Sequence, residues 1–311
     1  MKKITEKLSA CSSEVWALAA FLLATLISMF IASNANAFER VNANTVRIKL
    51  LSYNVKGLPA LINPDYDQDR FGDIGDILAA HKQAQLAPDV VVLQEAFSNR
   101  TPELAQHAGY PYLANGPSSS KPINSGLMIL SDFPIAYDQT MLYGEFDCGT
   151  WDCFASKGAQ MVRLQLPGVP FLLTIANTHA QSGDAWEVPR LTQLHDFAVF
   201  LASVVNHDLG LIAAGDFNSF PALESFTKFK SDTGMHNVGE ICVDPRNGCV
   251  LGNTTNRQNV LDKSVDHVFI ANGHRVTMRP VSVERTFTKP YKGRMLSDHF
   301  GYETVLEISW L

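Results

Sequence analysis

The chain has 311 residues, 46% of them hydrophobic, and carries 31 acidic against 25 basic side chains for a net charge of −6. That length suits one large single-core domain rather than several. The acidic balance counts against a surface that grips a nucleic-acid backbone, although a bound metal ion would offset charge locally.

The chain opens on Lys2, Lys3 and Lys7, then an uncharged and mostly apolar stretch over 16–32. Ala35 and Ala37 follow with the spacing a signal peptidase requires. Residues 1–37 are therefore read as a signal peptide and 38–311 as the mature domain, secreted or periplasmic. An uncleaved membrane anchor is the alternative for so long an apolar stretch. The leader holds three basic and two acidic residues, so the mature chain is one charge more negative. Cys148, Cys153, Cys242 and Cys249 remain beyond the leader. An even number in an exported chain reads as disulfides, and the short spacings favour Cys148–Cys153 and Cys242–Cys249. Zinc is the rival, but neither pair has C-x-x-C spacing.

Apolar and β-branched residues predict a strand over 46–55, and helical spacing of Phe71, Ile74, Ile77 and Leu78 predicts a helix over 71–81. A strand from Val90 follows. Thr101 and Pro102 mark a helix start, with Thr101 as N-cap, and Gly109 with Pro111 mark its end. Strands are expected over 126–130, 135–143, 159–166 and 170–178, joined by short Pro/Gly turns. The stretch 186–206 is the longest helix, with Leu191, Leu194, Ala198, Leu201 and Val205 on one face. A strand over 211–214, a short helix over 222–229 and strands over 265–270 and 301–308 complete the pattern. Irregular alternation with hairpin-length connections favours a layered α/β fold on mixed sheets.

Four apolar runs end abruptly in polar groups: at Asn54, at Gln94-Glu95, at Asn177-Thr178-His179 and at Asp216-Phe217-Asn218. A buried strand cannot carry a carboxylate or imidazole at its middle without a large desolvation cost. Four such ends, with Ser297-Asp298-His299 as a fifth piece, point to one polar site on a sheet rim. After Gly215, Asp216 and Asn218 are two apart and project to one side, able to hold a phosphate oxygen or a water beside a metal. An Asx-turn leading into a helix near Pro221 explains them equally well. Glu95 is a hard oxygen ligand suited to Mg2+. His179 can donate to a phosphoryl oxygen, and Asp298 and His299 offer a metal ligand and a proton carrier. Asp266, set in an apolar strand, is the candidate to orient the imidazole.

Seven short segments then carry a family likeness: S-Y-N-V at 52–55, Q-E at 94–95, S-G-L-M-I-L-S at 125–131, N-T-H at 177–179, G-D-F-N at 215–218, V-D-H-V-F at 265–269 and S-D-H at 297–299. In this order they resemble the endonuclease/exonuclease/phosphatase superfamily of deoxyribonuclease-like fold. The resemblance implies a four-layer α-β-β-α sandwich of two mixed sheets. It implies Glu95 and Asn54 at the main metal with Asp298 near it, and Asp216 and Asn218 at the nucleophile and phosphate. His299 would be the general base paired with Asp266, and His179 the transition-state partner. The implied cofactor is Mg2+, with Mn2+ or Co2+ as alternatives.

The N-T-H-x-Q pattern at 177–181, and A-S-K-G at 155–158 after Cys153, resemble the neutral and bacterial sphingomyelinase branch. Lys157 would then be a cation near the phosphodiester. The resemblance implies hydrolysis of sphingomyelin or a related choline phospholipid, by a monomer working on a phospholipid membrane surface without a stable nucleic-acid partner. No long aromatic hairpin for bilayer entry is found. Trp151 with Phe154, and the stretch 287–291, are the modest candidates for that contact. A secreted nuclease is the first rival, and it would need basic residues such as Lys289, Lys292 and Arg294 along its groove. An inositol-phosphate phosphatase and a catalytically silent binding protein are the others.

Overall fold

The uninterrupted apolar runs divide by parity. Along strand β2 (Thr45–Asn54), Val46, Ile48 and Leu50 enter one core, whereas Leu51 and Tyr53 enter another. Along β3 (Val90–Gln94), Val90 and Val92 join the first and Val91 and Leu93 the second. Successive strand residues face opposite ways, so a strand apolar at every position must be covered on both sides. The computed structural model, which describes residues 38–58, 69–144 and 147–311, shows both covers. The leader assigned to residues 1–37 lies outside the described residues.

On one side, helices α1 (Asp69–Gln83) and α2 (Thr101–Ala108) close the second core with Phe71, Ile74, Leu78 and Leu104. On the other side lies a second sheet. The remaining strands are β1 (Glu39–Asn42), β4 (Tyr112–Asn115), β5 (Met128–Ser131), β6 (Ile135–Leu142), β7 (Gly158–Gln165), β8 (Leu172–His179), β9 (Leu211–Asp216), β10 (His236–Asn237), β11 (Val250–Leu251), β12 (Asp266–Ala271), β13 (Val276–Thr286) and β14 (Gly301–Trp310). The first sheet runs β11-β13-β14-β2-β3-β5-β4, with β1 also paired to β2, and the second runs β10-β12-β9-β8-β7-β6. Each holds one of the two central parallel pairs, β2 with β3 and β8 with β9, among antiparallel neighbours. Outside the second sheet, α3 (Glu187–Val204) and α4 (Glu224–Thr233) bring Phe197, Phe226 and Phe229 against Phe217 and Phe269. The architecture is the expected α-β-β-α sandwich of two mixed sheets. Truncating a buried leucine such as Leu50 to alanine would cost about 2–5 kcal/mol.

Several details differ from the sequence reading. Thr101 is the first helical residue rather than the cap; Arg100 precedes it, and the Thr101 hydroxyl donates to Ala96 O at 3.1 Å. Strand β13 was not expected, because Pro280 argues against a strand interior. The structure accommodates it at a register shift between Pro280 and Ser282. Short β4, mostly exposed at a sheet edge, and helix α5 (Val238–Val243), capped by Asn237, were also not foreseen. Both expected disulfides are present, Cys148–Cys153 and Cys242–Cys249. Among the described residues, no helix is long and apolar enough to cross a membrane.

Candidate active site

Strand register brings the polar ends together. Asn54 pairs with Gln94 at the ends of parallel β2 and β3, and His179 pairs with Asp216 at the ends of β8 and β9. Antiparallel β12 begins at the same level, with Asp266 opposite Asp216. Gly215 makes the closest approach possible: at φ 147°, a Cβ there would lie 2.1 Å from Thr178 O. The two sheets are tied just below the rim by buried amides. Gln94 Nε2 donates to Asn177 Oδ1 at 2.9 Å, and Asn177 Nδ2 donates back to Leu93 O at 2.9 Å.

Asp216 is the hub. Its Oδ2 accepts from Asn54 Nδ2 at 3.0 Å and lies 3.6 Å from His179 Nε2 and 3.7 Å from His299 Nε2. Asn54 Nδ2 also donates to Glu95 Oε1 at 3.0 Å, so one amide stands between two carboxylates. Its own oxygen accepts the Lys56 N–H at 3.0 Å. Glu95 Oε2 is buried and has no hydrogen-bond partner. Burial, reinforced by Asp216 and Asp298 and opposed by the Asn54 amide and Lys157, raises Glu95 to about 7. Glu95 and Asn218 both hold left-handed backbone, at φ 53° and 48°. Such conformations in non-glycine residues cost about 1–3 kcal/mol and persist where the surroundings enforce them.

His299 Nδ1 lies 3.2 Å from both oxygens of Asp266, which leaves Nε2 turned toward Asp216. Burial alone would lower this imidazole, but Asp266 and then Asp216 and Asp298 outweigh it and push it up to about 10. His179 goes the other way, down to about 4, through burial and the nearby Lys157 ammonium. Burial and charge therefore move the two imidazoles in opposite directions about a shared carboxylate. Parity removes the neighbouring His267 from it: that ring packs among Phe217, Phe226 and Phe269 on the outer side of the second sheet.

The other expected residues take mixed positions. Asn218 serves both of its readings. Its N–H closes an Asx-turn on Asp216 Oδ1 at 2.9 Å, and its side chain donates to Ala180 O at 3.1 Å beside His179. Asp298 stands at the mouth with its side chain 54% exposed, paired to Lys56 Nζ at 3.0 Å. Lys157 is buried, donating to Ala180 O at 2.8 Å and pairing with Asp152 at 3.1 Å. It acts on the site through its field rather than as a free surface cation. Arg70 was not foreseen. From α1 it donates to Val55 O at 3.2 Å, Leu296 O at 2.5 Å and Lys56 O at 2.8 Å, holding together the loops that carry Asn54 and His299. A lone arginine before an apolar helix gives no signal of that role. Ser297, by contrast, lay in a noted segment, and its hydroxyl donates to Asn54 O at 2.7 Å.

A model of the Endonuclease/Exonuclease/phosphatase family matches residues 51–299, from β2 to His299. The chain belongs to this family. Among family-type relatives, Sphingomyelinase C 2 of Leptospira interrogans is 28% identical over 213 residues, covering 60% of this chain and 33% of that protein. The chain spans 33% to 59% of the length of the curated relatives it matches. Staphylococcus aureus beta toxin, solved as a double mutant with bound magnesium ions, superposes with TM-score 0.65 at 19% identity, over 83% of this chain and 98% of that one. D. rerio TDP2 complexed with a single-strand DNA product does so with TM-score 0.60 at 19% identity, over 84% of this chain and 98% of that one. These likenesses establish the fold.

The donor set of this family member fits a divalent cation. A buried carboxylate oxygen without a partner, as at Glu95, is costly unless a cation or donor meets it. A second close group, Asp216, Asp266 and His299, places its ligand atoms within 4.8 Å of one another. Glu95 and Asp298, the acids expected at the metal, stand outside that group, which joins three residues expected in catalytic roles instead.

Proposed function

We propose that the chain hydrolyses the phosphodiester of sphingomyelin, or of a related choline phospholipid, to phosphocholine and ceramide or its diacylglycerol counterpart. The observation that carries the chemistry is the Asp266–His299 pair facing Asp216, with Glu95 Oε2 unpartnered beside it. In this reading His299 Nε2 accepts a proton from water as that water attacks phosphorus in line. The bond from phosphorus to the lipid oxygen breaks on the far side, the leaving oxygen takes a proton from solvent water, and His299 returns its own proton to solvent to complete the cycle. His179, kept neutral, donates its N–H to a phosphoryl oxygen as charge builds there, and Asn218 holds the group from another side. Mg2+, held by Glu95 with Asn54 and Asp298, would neutralise phosphoryl charge and offset the carboxylates that keep His299 protonated.

The lipid assignment rests on the sphingomyelinase relatives and on the segment Thr150–Phe154. Cys148–Cys153 clips this 3-10 turn, and Asp152 fixes it to the site by accepting from Ser182 N and Oγ at 2.9 Å and pairing with Lys157. Trp151 and Phe154 project from it, 66% and 46% exposed, their rings 5.7 Å apart. An aromatic pair on a rigid mount beside the site suits contact with a phospholipid membrane surface. The disulfides fit an exported, oxidising address. The chain is proposed to act as a monomer.

The nuclease reading draws on the likeness to TDP2. Against it, Lys292 and Arg294 are engaged by buried Asp73, at 2.6 and 2.7 Å. Purified mature protein incubated with sphingomyelin, phosphatidylcholine and plasmid DNA, with Mg2+ or with chelator, separates the readings. Metal-dependent phosphocholine release is the expected result. Nicked plasmid with intact lipid would assign the site to nucleic acid.

A further inference from the structure

Strand β13 belongs to the first sheet, yet its residue Arg285 reaches the strand of the second sheet that carries Asp266. The side chain is 4% exposed, and its Nη1 lies 3.7 Å from Asp266 Oδ2. Nη2 donates to Ser264 Oγ, whose hydroxyl donates in turn to Asp266 O at 2.6 Å. Nη1 is also 3.5 Å from the carbonyl of Phe300, the residue after His299, and Nε donates to Asn259 O at 2.7 Å. The guanidinium carbon stands 4.8 Å from the centre of the Tyr302 ring.

A buried guanidinium is costly unless its charge is matched and its donors are used. Here the two η nitrogens go to the segments immediately before Asp266 and after His299, Nε goes to Asn259 O, and the matching carboxylate is Asp266. We propose that Arg285 is a positioning residue for the Asp266–His299 pair, fixing the carboxylate against the imidazole from behind. It touches neither substrate nor His299. It acts through Asp266 by holding both partners' backbones and by balancing the charge that Asp266 brings into the seam. The inference rests on the proposed role of His299 as proton acceptor. It adds that the geometry of that pair is set from the opposite sheet.

The test uses the mature protein with Mg2+ and bis(p-nitrophenyl) phosphate, a chromogenic diester independent of lipid preference. Arg285→Met should lower kcat by about 10²-fold, the scale of a misplaced catalytic group, with KM little changed. Arg285→Lys should fall between it and the parent. Guanidinium added to Arg285→Ala should restore part of the turnover. In an Asp266→Asn background, Arg285→Met should cause no further loss of kcat. Should Arg285→Met fail to fold, the lysine variant and the guanidinium titration carry the decision. An equal loss in both backgrounds, or no rescue by guanidinium and no deficit in Arg285→Lys, would overturn the inference. Full turnover of Asp266→Asn would remove the proton-acceptor reading itself, whereas a crippled Asp266→Asn beside a fully active Arg285→Met would remove the role of Arg285 alone.

Discussion

The Asn54 amide lies 3.0 Å from Glu95 Oε1, while the other oxygen of that carboxylate is buried with nothing to meet it. The arrangement makes Glu95 the residue on which cation binding should depend. Mg2+ at 100 times its dissociation constant should stabilise the protein by about 2.7 kcal/mol, read as a rise in melting temperature. Glu95→Gln should lose most of that rise, and chelator should scarcely change its residual turnover. An undiminished rise in Glu95→Gln would move the ion to Asp216, Asp266 and His299.

His299 should carry the proton transfer. His299→Ala is expected to lower kcat by about 10²–10⁴-fold, the usual contribution of a general base. Steady-state kinetics on a phosphodiester decide it. Near-normal turnover would exclude the imidazole from the reaction.

Trp151 and Phe154 should matter to surfaces and not to chemistry. The double variant Trp151→Ala/Phe154→Ala should bind sphingomyelin vesicles roughly 10- to 100-fold more weakly, the worth of one buried aromatic side chain. Hydrolysis of a soluble short-chain substrate should hold at the parent rate. Equal losses on both substrates would argue that the clipped turn shapes the site instead.

His267 should make the fold sensitive to acid. Its Nε2 lies 2.9 Å from Ser219 O and its Nδ1 3.2 Å from Asn237 Nδ2, and burial lowers it to about 3. Between that value and an unfolded value of about 6.5, the unfolded chain binds the proton and the folded one does not. The contribution is complete above about pH 6.5 and drains away as pH falls toward 3, at roughly 1.4 kcal/mol per unit. Asp89 and Glu303, raised by burial to about 6 and 7, act in the opposite sense on acidification, so the parent shows the net slope. Urea unfolding at several pH values should give a shallower decline for His267→Gln than for the parent. An identical slope would contradict the assignment.

Much of this arrangement is legible in the sequence. The strand-end polar groups were visible because an apolar run that stops at a carboxylate has few physical explanations, and the expected residues Asn54, His179, Asn218, Asp266 and His299 do gather about Asp216, with Glu95 joined through Asn54. Lys157 was harder, since spacing tells that a lysine opens a strand but not that Asp152 has claimed it. Arg285 and Arg70 were invisible for a related reason. Each works on backbone carbonyls or a partner far away in sequence, and such contacts leave no periodic trace. Strand β13, with Pro280 at its bulge, broke the rule that sequence reading relies on.

The amide pair Gln94 and Asn177 has a consequence for how such a molecule can change. Asn54, Glu95 and His299 adjoin strands of one sheet and His179, Asp216 and Asp266 those of the other, so a slip of one sheet past its neighbour would pull the proposed site apart. The two amides act as a dowel through that joint, set just beneath the floor. Turns at the rim then carry no share of that alignment, and substitutions there should leave the joint intact.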